Sequence, residues 1–350
     1  MTTRVDKSRL REFIEAAFRA AGYQEDDVQI GTDAFLLQEM RGVQTHALRR
    51  LHGMLDDVAS GRIKTQPNRR TVREHGAIKV IDGDTGLGIT SCRNAMDEAI
   101  SLSKQFGIGF CVVVNSNHFL AAAPYCIHAA ESGVIGLLFA NGMSGMAYPG
   151  TYVGALGNSP SGYGVPTGAG FPLVFDAALT LSGGKLTQWT RQGKTEIPDG
   201  FLGYDAQGNY TSDPSVILAG GTPLPIGLHK GAGLGILIDV ISGVLAGSSF
   251  LRTLIPAEHP DWKRSSDTHT CIAIDIETFM PLDEFKERMA AYVADIKSKP
   301  LAEGYEEILL PGERAARTIA DAEANGVALE DEVVERMQAV SRQYGVPLAW

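Results

Sequence analysis

Ile108-Gly109-Phe110-Cys111-Val112-Val113-Val114-Asn115-Ser116-Asn117-His118-Phe119 is an apolar run that closes on three polar residues and an imidazole. Its uncharged, β-branched and aromatic content, bounded by Gly107, predicts a buried strand of the parallel type. Leu120-Ala121-Ala122-Ala123 follows and opens a helical pattern over 120–132. Strand followed by helix places His118 at the carboxyl end of the strand, where α/β sheets open their ligand crevices. Histidine is the side chain best suited to exchange a proton near neutral pH. His118 is therefore the first candidate for an acid/base role.

The same alternation extends outward. Ile78 to Ile81 is predicted as a strand, Cys92 to Phe106 as a helix, Val134 to Ala140 as a strand, and Leu173 to Phe175 as a strand. Further on come an apolar helix from Lys230 to Val244, a strand from Cys271 to Ile276 and an amphipathic helix over 282–297. The first sixty residues read as helices: Leu10, Phe13, Ile14, Ala17 and Phe18 recur at helical spacing, a second run covers Val28 to Met40, and a third helix is expected from Thr45. Helices near 313–324 and 329–343 close the chain. Residues 141–171, rich in Gly, Ser, Pro and Tyr, read as a long functional loop. The expected organisation is an α/β core over 76–279, completed by mainly helical parts at 1–75 and 280–350.

With 350 residues, the chain has ample apolar content for a large core, and its net charge of −10 with no basic block argues against a nucleic-acid partner. Cys92, Cys111, Cys126 and Cys271 lack metal spacing and read as buried reduced thiols. The eight histidines (46, 52, 75, 118, 128, 229, 259 and 269) include no i,i+4 pair and no HExxH, so no metal site is expected. The polar start Met1-Thr2-Thr3-Arg4-Val5-Asp6 has no signal-peptide core, and no apolar run reaches bilayer-spanning length. A soluble, cytoplasmic protein without a membrane partner is expected.

Three further clusters carry chemistry. On the third helix, Leu48, Leu51, Leu55 and Val58 form one stripe, while His46 and Arg50 lie together on the other side. Such a face is ordinarily just solvated, but an arginine fork beside an imidazole can hold a carboxylate and address the neighbouring oxygen. Gly227-Leu228-His229-Lys230-Gly231-Ala232-Gly233 opens the apolar helix, and backbone N–H groups at a helix start beside Lys230 suit a phosphate. Its glycines fall within the helix rather than in a strand-to-helix turn, so they are no Rossmann fingerprint. Leu310-Pro311-Gly312-Glu313-Arg314 is turn chemistry before a helix.

Together these segments resemble the malate/L-lactate dehydrogenase family of the non-Rossmann type, which also contains ureidoglycolate dehydrogenase, sulfolactate dehydrogenase, diketogulonate reductase and the piperideine-2-carboxylate reductases. The resemblance runs in order through Arg41-Gly42-Val43-Gln44-Thr45-His46, Asp82-Gly83-Asp84-Thr85-Gly86-Leu87-Gly88, Asn115-Ser116-Asn117-His118-Phe119 and Gly157-Asn158-Ser159-Pro160. It continues through Phe175-Asp176-Ala177-Ala178, His229-Lys230-Gly231-Ala232-Gly233-Leu234 and Pro311-Gly312-Glu313-Arg314. It implies an α/β fold with a mixed sheet and helices contributed by both termini, a homodimer, and an oxidoreductase that uses NAD or NADP on a small 2-oxo or 2-hydroxy acid. It assigns His118 and His46 to catalysis and Thr45, Arg50 and Asn158 to the substrate. Gly142, Asp176, Ala177, Ala178, His229, Lys230, Gly312, Glu313 and Arg314 fall to the cofactor. Two alternatives stay open, a cyclic imino-acid reductase and a catalytically inactive small-acid binding homologue. Ala47 and Leu120 stand where the family usually has glycine, and their bulk beside the site points to a substrate other than malate or lactate.

Overall fold

In the computed structural model, residues 2–181, 183–197, 202–251 and 267–350 are described; His259 lies outside them. The chain runs β1 (Thr2–Val5), α1 (Lys7–Ala20), α2 (Glu25–Met40), α3 (Leu51–Ala59), β2 (Arg70–His75), β3 (Ile78–Asp82), α4 (Gly88–Phe106) and β4 (Ile108–Ser116). Next come α5 (Ala123–Glu131), β5 (Val134–Ala140), β6 (Ser144–Ala147), β7 (Gly154–Gly157), β8 (Ser161–Val165), β9 (Leu173–Ala177) and α6 (Gly183–Arg191). β10 (Gly203–Tyr204), β11 (Tyr210–Thr211), α7 (Pro214–Leu218), β12 (Thr222–Pro223) and α8 (His229–Asp239) follow. The last elements are β13 (Asp267–Asp275), α9 (Leu282–Lys297), α10 (Glu313–Asn325), β14 (Val327–Glu330) and α11 (Asp331–Tyr344).

The main sheet has the order β2-β3-β4-β13-β5-β8-β9. Only β3 and β4 run parallel; the other neighbouring pairs are antiparallel. The decisive strand is thus parallel on one side only, because β13 returns from far along the chain to lie against its other edge, an event no local pattern announces. α4 packs on β4 and β13, and α5 on β5 and β8. These helices approach so closely that a Cβ on Gly109 would lie 1.9 Å from the Ala99 carbonyl oxygen, and one on Gly164 would lie 1.9 Å from that of Cys126. One continuous core joins Phe13, Phe18 and Phe35 of the N-terminal helices to Met96, Val113, Tyr125 and Leu138, and to Val333 and Met337 of α11. All four cysteines are buried and unpaired within it.

Three expectations change. The helix expected from Thr45 begins at Leu51: residues 44–46 and 48–50 form two separate 3-10 turns, broken at Ala47 by φ −135° and ψ −146°. Residues 141–171 contain β6, β7 and β8, strands so short and glycine-rich that they show no alternation. The mainly helical ends also contribute strands. β2 extends the main sheet, and β1 pairs antiparallel with β14, tying the two ends of the chain together.

Candidate active site

His118 is positioned by the residues around it. Near the end of β4, Asn115 adopts a left-handed φ of +53°. Its amide donates to Asp82 Oδ1 (2.9 Å). The Asn117 amide donates to the carbonyls of Thr85 (2.8 Å) and Gly86 (3.0 Å). Gly88 presses the start of α4 onto this segment: a Cβ there would lie 1.8 Å from the Asn117 carbonyl oxygen. On the far side the Tyr125 hydroxyl donates to the Phe119 carbonyl (2.7 Å). The loop 82–88 is therefore the clamp on the strand end, a role its sequence gave no chemical reason to assign. The signal was the pair of asparagines flanking Ser116. Within the clamp the Leu120 N–H donates to His118 Nδ1 (3.0 Å). A neutral His118 accepting there carries its proton on Nε2.

The two 3-10 turns bring His46 against His118. Their rings stack with centroids 5.9 Å apart and planes 15° from parallel. Thr45 Oγ1 lies 2.9 Å from His46 Nδ1. Buried Glu39, in the last turn of α2, accepts the Leu48 N–H (3.0 Å) and so holds the second turn in place. The adjacent arginines separate cleanly. Arg49 pairs with Glu330 (2.9 Å) and Glu332 (3.5 Å), whereas Arg50 is exposed and has no carboxylate partner among the described residues. Burial pushes the His118 imidazole down to about 3, and the charges of Arg50, His46 and His269 add to the effect. Burial lowers His46 as well, with Arg50 adding to it and Asp176 opposing it. Both rings are neutral at physiological pH in the unliganded site.

Asp176 closes β9 near His46 and the buried Arg41, and its Oδ2 accepts the Ala123 N–H at the start of α5 (2.9 Å). The segment from Asp176 through Ala177 to Ala178 is half-buried, and the chain then ties to its surroundings. The Leu179 N–H donates to the Asn158 carbonyl, and the Ile226 N–H to the Leu179 carbonyl (both 2.8 Å). That link hangs the start of α8 beside Asn158. His229 and Lys230 are exposed there, with no carboxylate on Lys230 among the described residues. Asn158 covers Gly142, where a Cβ would lie 2.5 Å from Asn158 Oδ1. The Pro-Gly-Glu turn joins from the other direction, since the Pro311 carbonyl accepts the Val174 N–H of β9 (3.1 Å). Gly312 has φ +92°, and a Cβ on it would meet Pro172 and Val174 at 3.0 Å. Glu313 gives its carboxylate to Lys297 (2.7 Å) and Arg317 (2.8 Å), while Arg314 is exposed.

Non-glycine residues in the left-handed region sit beside three of these segments: Leu120 after His118, Ser159 after Asn158 and Leu228 before His229. Backbone strain of this kind collects at functional sites. Ala47 and Leu120, expected to add bulk beside the site, are both buried, Leu120 in the main core. Among the described residues no cluster of His, Cys, Asp or Glu is placed to hold a metal.

Comparison with known proteins agrees over the whole chain. The family model for malate/L-lactate dehydrogenase matches residues 5–338. The malate dehydrogenase of Pyrococcus horikoshii is 33% identical over 98% of this chain and 96% of its own length. The malate/(S)-sulfolactate dehydrogenase of Methanothermus fervidus is 28% identical over 97% of this chain and 98% of its own. The crystal structure of malate dehydrogenase from Entamoeba histolytica superposes with a TM-score of 0.93 at 27% identity, covering 100% of both chains. A stacked histidine pair and an arginine without a described carboxylate partner at a strand end, on this mixed sheet and with this family match, place the chain in the malate/L-lactate dehydrogenase family of oxidoreductases, whose chemistry implies a nicotinamide cofactor.

Proposed function

We propose that the protein interconverts a small 2-oxo acid and its 2-hydroxy acid with NAD or NADP, His118 being the proton donor and acceptor. The observation that carries this reading is the stacked His46–His118 pair beside an arginine that no described carboxylate neutralises. Arg50 takes the substrate carboxylate through its planar fork. Thr45 and Asn158 complete the substrate side. His118 presents Nε2–H to the carbonyl oxygen, and His46 polarises it from the adjacent ring. Protonating His118 requires Nδ1 to release the Leu120 N–H, and burial opposes the charge as well. A substrate carboxylate beside Arg50 offsets that cation and raises the proton affinity of both rings. Proton uptake thus accompanies binding, and the proton is delivered as charge develops on the oxygen. In the other direction His118 acts as acceptor in its Nδ1–H tautomer, whose Nε2 is free to receive the alcohol proton.

The residues around α8 and β9 fit a nicotinamide dinucleotide. An exposed helix start with a lysine free of described carboxylates suits its phosphates, and backbone at Gly142, Asp176, Ala177 and Ala178 lies alongside. Gly312, Glu313 and Arg314 border the same strand, Glu313 through its backbone because its carboxylate is already paired. When bound, this group supplies or takes the hydride. The exposed apolar residues Leu234, Leu237, Val244 and Leu245, on α8 and just beyond it, support a homodimer. Among the described residues no helix is long and apolar enough to cross a membrane.

The test is turnover of NADH and NADPH with a panel of 2-oxo acids, including dicarboxylic and sulfonated members and one cyclic imino acid. A 2-oxo acid is expected to be reduced, and His118→Ala to lose roughly 100-fold or more in kcat with its melting temperature retained. Preference for the cyclic imino acid would make the protein an imine reductase. Failure to bind either nucleotide, read by its fluorescence, would make it an inactive acid-binding homologue.

A further inference from the structure

Behind His118 lies a second histidine that the proposed chemistry does not use. His269, on β13, is wholly buried. Its Nε2–H donates to the Asn117 carbonyl (3.0 Å), the peptide group joined directly to His118. Its ring packs on Phe119 with centroids 4.8 Å apart, and Phe119 in turn faces His118 at 6.1 Å. Four rings therefore form a column: His46 and His118 at the site, then Phe119, then His269 in the core. Among the described residues His269 Nδ1 has no hydrogen-bond partner, so the ring's one polar tie is the bond to the Asn117 carbonyl. Burial keeps the ring neutral, pushing it down to about 4, so it stays a one-proton donor.

We propose that His269 is a positioning residue for His118: its N–H fixes the Asn117 carbonyl and its ring seats Phe119, holding the His118 imidazole in register with His46. This rests on the reading of His118 as the proton-transfer group. The Asn117 side chain is already fixed to the loop 82–88 and the Phe119 carbonyl to Tyr125. The Asn117 carbonyl is a further handle on this turn, and His269 is a side chain that holds it. A loose turn lets the ring rotate and exchange tautomers, which degrades proton transfer without altering the carboxylate anchor at Arg50.

Two variants separate positioning from packing. His269→Phe keeps a flat ring against Phe119 and removes the donor; His269→Gln keeps a side-chain N–H at a similar reach. The Phe variant is expected to lose about 10- to 100-fold in kcat with KM little changed, and the Gln variant to recover most of that loss. An independent readout is the imidazole nitrogen shifts of His118 in histidine-labelled protein. They should report a single Nε2–H tautomer in the wild type and in His269→Gln, and an averaged pair in His269→Phe. Unchanged shifts or an unchanged kcat in His269→Phe overturns the proposal, as does equal loss in both variants tracking a fall in melting temperature. If His269→Phe does not unfold cooperatively, His269→Leu takes its place, and failure of both overturns the proposal in favour of a packing role. Absence of turnover in the wild type would sink the functional reading, while the nitrogen shifts would still judge His269.

Discussion

Leu120 holds a backbone conformation, φ +70°, that L-residues adopt at a cost of roughly 1–2 kcal/mol. Its N–H donates back to His118 Nδ1, so the strained residue sits directly on the candidate site. The strain is offset by burial, since the side chain is 2% exposed and packs in the main core. Leu120→Gly removes the strain but also the buried side chain, whose loss costs roughly 2–5 kcal/mol. A net destabilisation of about 1–3 kcal/mol follows, measurable as a lower urea midpoint at unchanged slope, with kcat within a few-fold because the N–H remains. A variant as stable as the wild type would show that Leu120 is not a core residue. His118 was legible in the sequence, since a titratable ring that closes an apolar run marks the point where the strand leaves the core. The direction of Leu120 was not legible: one residue at positive φ reverses the face that a regular strand or helix would predict. The resemblance singled out Arg50, but the physical reason that separates it from Arg49 was not legible, since Glu330 and Glu332 come from the far end of the chain to claim Arg49.

Glu39 shows why the segment 44–50 misread as a helix. The periodicity of Leu48, Leu51, Leu55 and Val58 is genuine, and the first three side chains are fully buried. Helix geometry nevertheless starts only at Leu51, because a carboxylate from the preceding helix caps Leu48 and the break at Ala47 swings His46 towards His118. Caps supplied from another element leave no trace in local spacing. Similarly, β6, β7 and β8 were hidden because glycine supplies no alternating side chains, whereas β5 and α9 were legible to the residue. Burial raises the Glu39 carboxyl to about 7 from its ordinary 4.5, with Glu330 adding and the Leu48 N–H and Arg49 opposing. A carboxyl whose folded value is raised favours the fold fully below pH 4.5, and that contribution is lost as pH rises through 7. Glutamine keeps an acceptor for Leu48 and does not ionise. Relative to wild type, Glu39→Gln should therefore gain on the order of 2–3 kcal/mol of stability between about pH 5 and pH 8. Contributions from His118 and His269 are common to both proteins and cancel in the difference. Urea unfolding at the two pH values checks this, and a pH-independent difference would mean that Glu39 ionises normally.

Across the whole molecule, the site draws on positions from Arg41 to Arg314, and the pairing that ties the chain ends together is β1 with β14. That pairing was invisible in sequence because β1 is four residues long and buries only Val5. The collinear motifs nevertheless made the mixed α/β class and the family legible, for their order fixes which segments meet even where their geometry is unknown. The remaining feature at this scale is α8. Its sequence is apolar, yet Leu234 and Leu237 are about half exposed and Leu245, past the π-turn Val240–Val244, is 67% exposed. A contiguous apolar face on a chain of net charge −10 needs a cover, and a two-fold interface would bury each residue twice. Each leucine so covered contributes roughly 1.5–3 kcal/mol, and a glutamate in its place adds the desolvation of a charge. Leu237→Glu should therefore weaken the proposed dimer by at least about 100-fold, giving a monomer at micromolar concentration in light scattering where a dimer is expected of the wild type. The helix start bearing His229 and Lys230 lies on the same element, so nucleotide affinity measured by fluorescence should fall together with assembly. A wild type that is monomeric at high concentration, or a Leu237→Glu protein that remains dimeric, would move the interface away from α8.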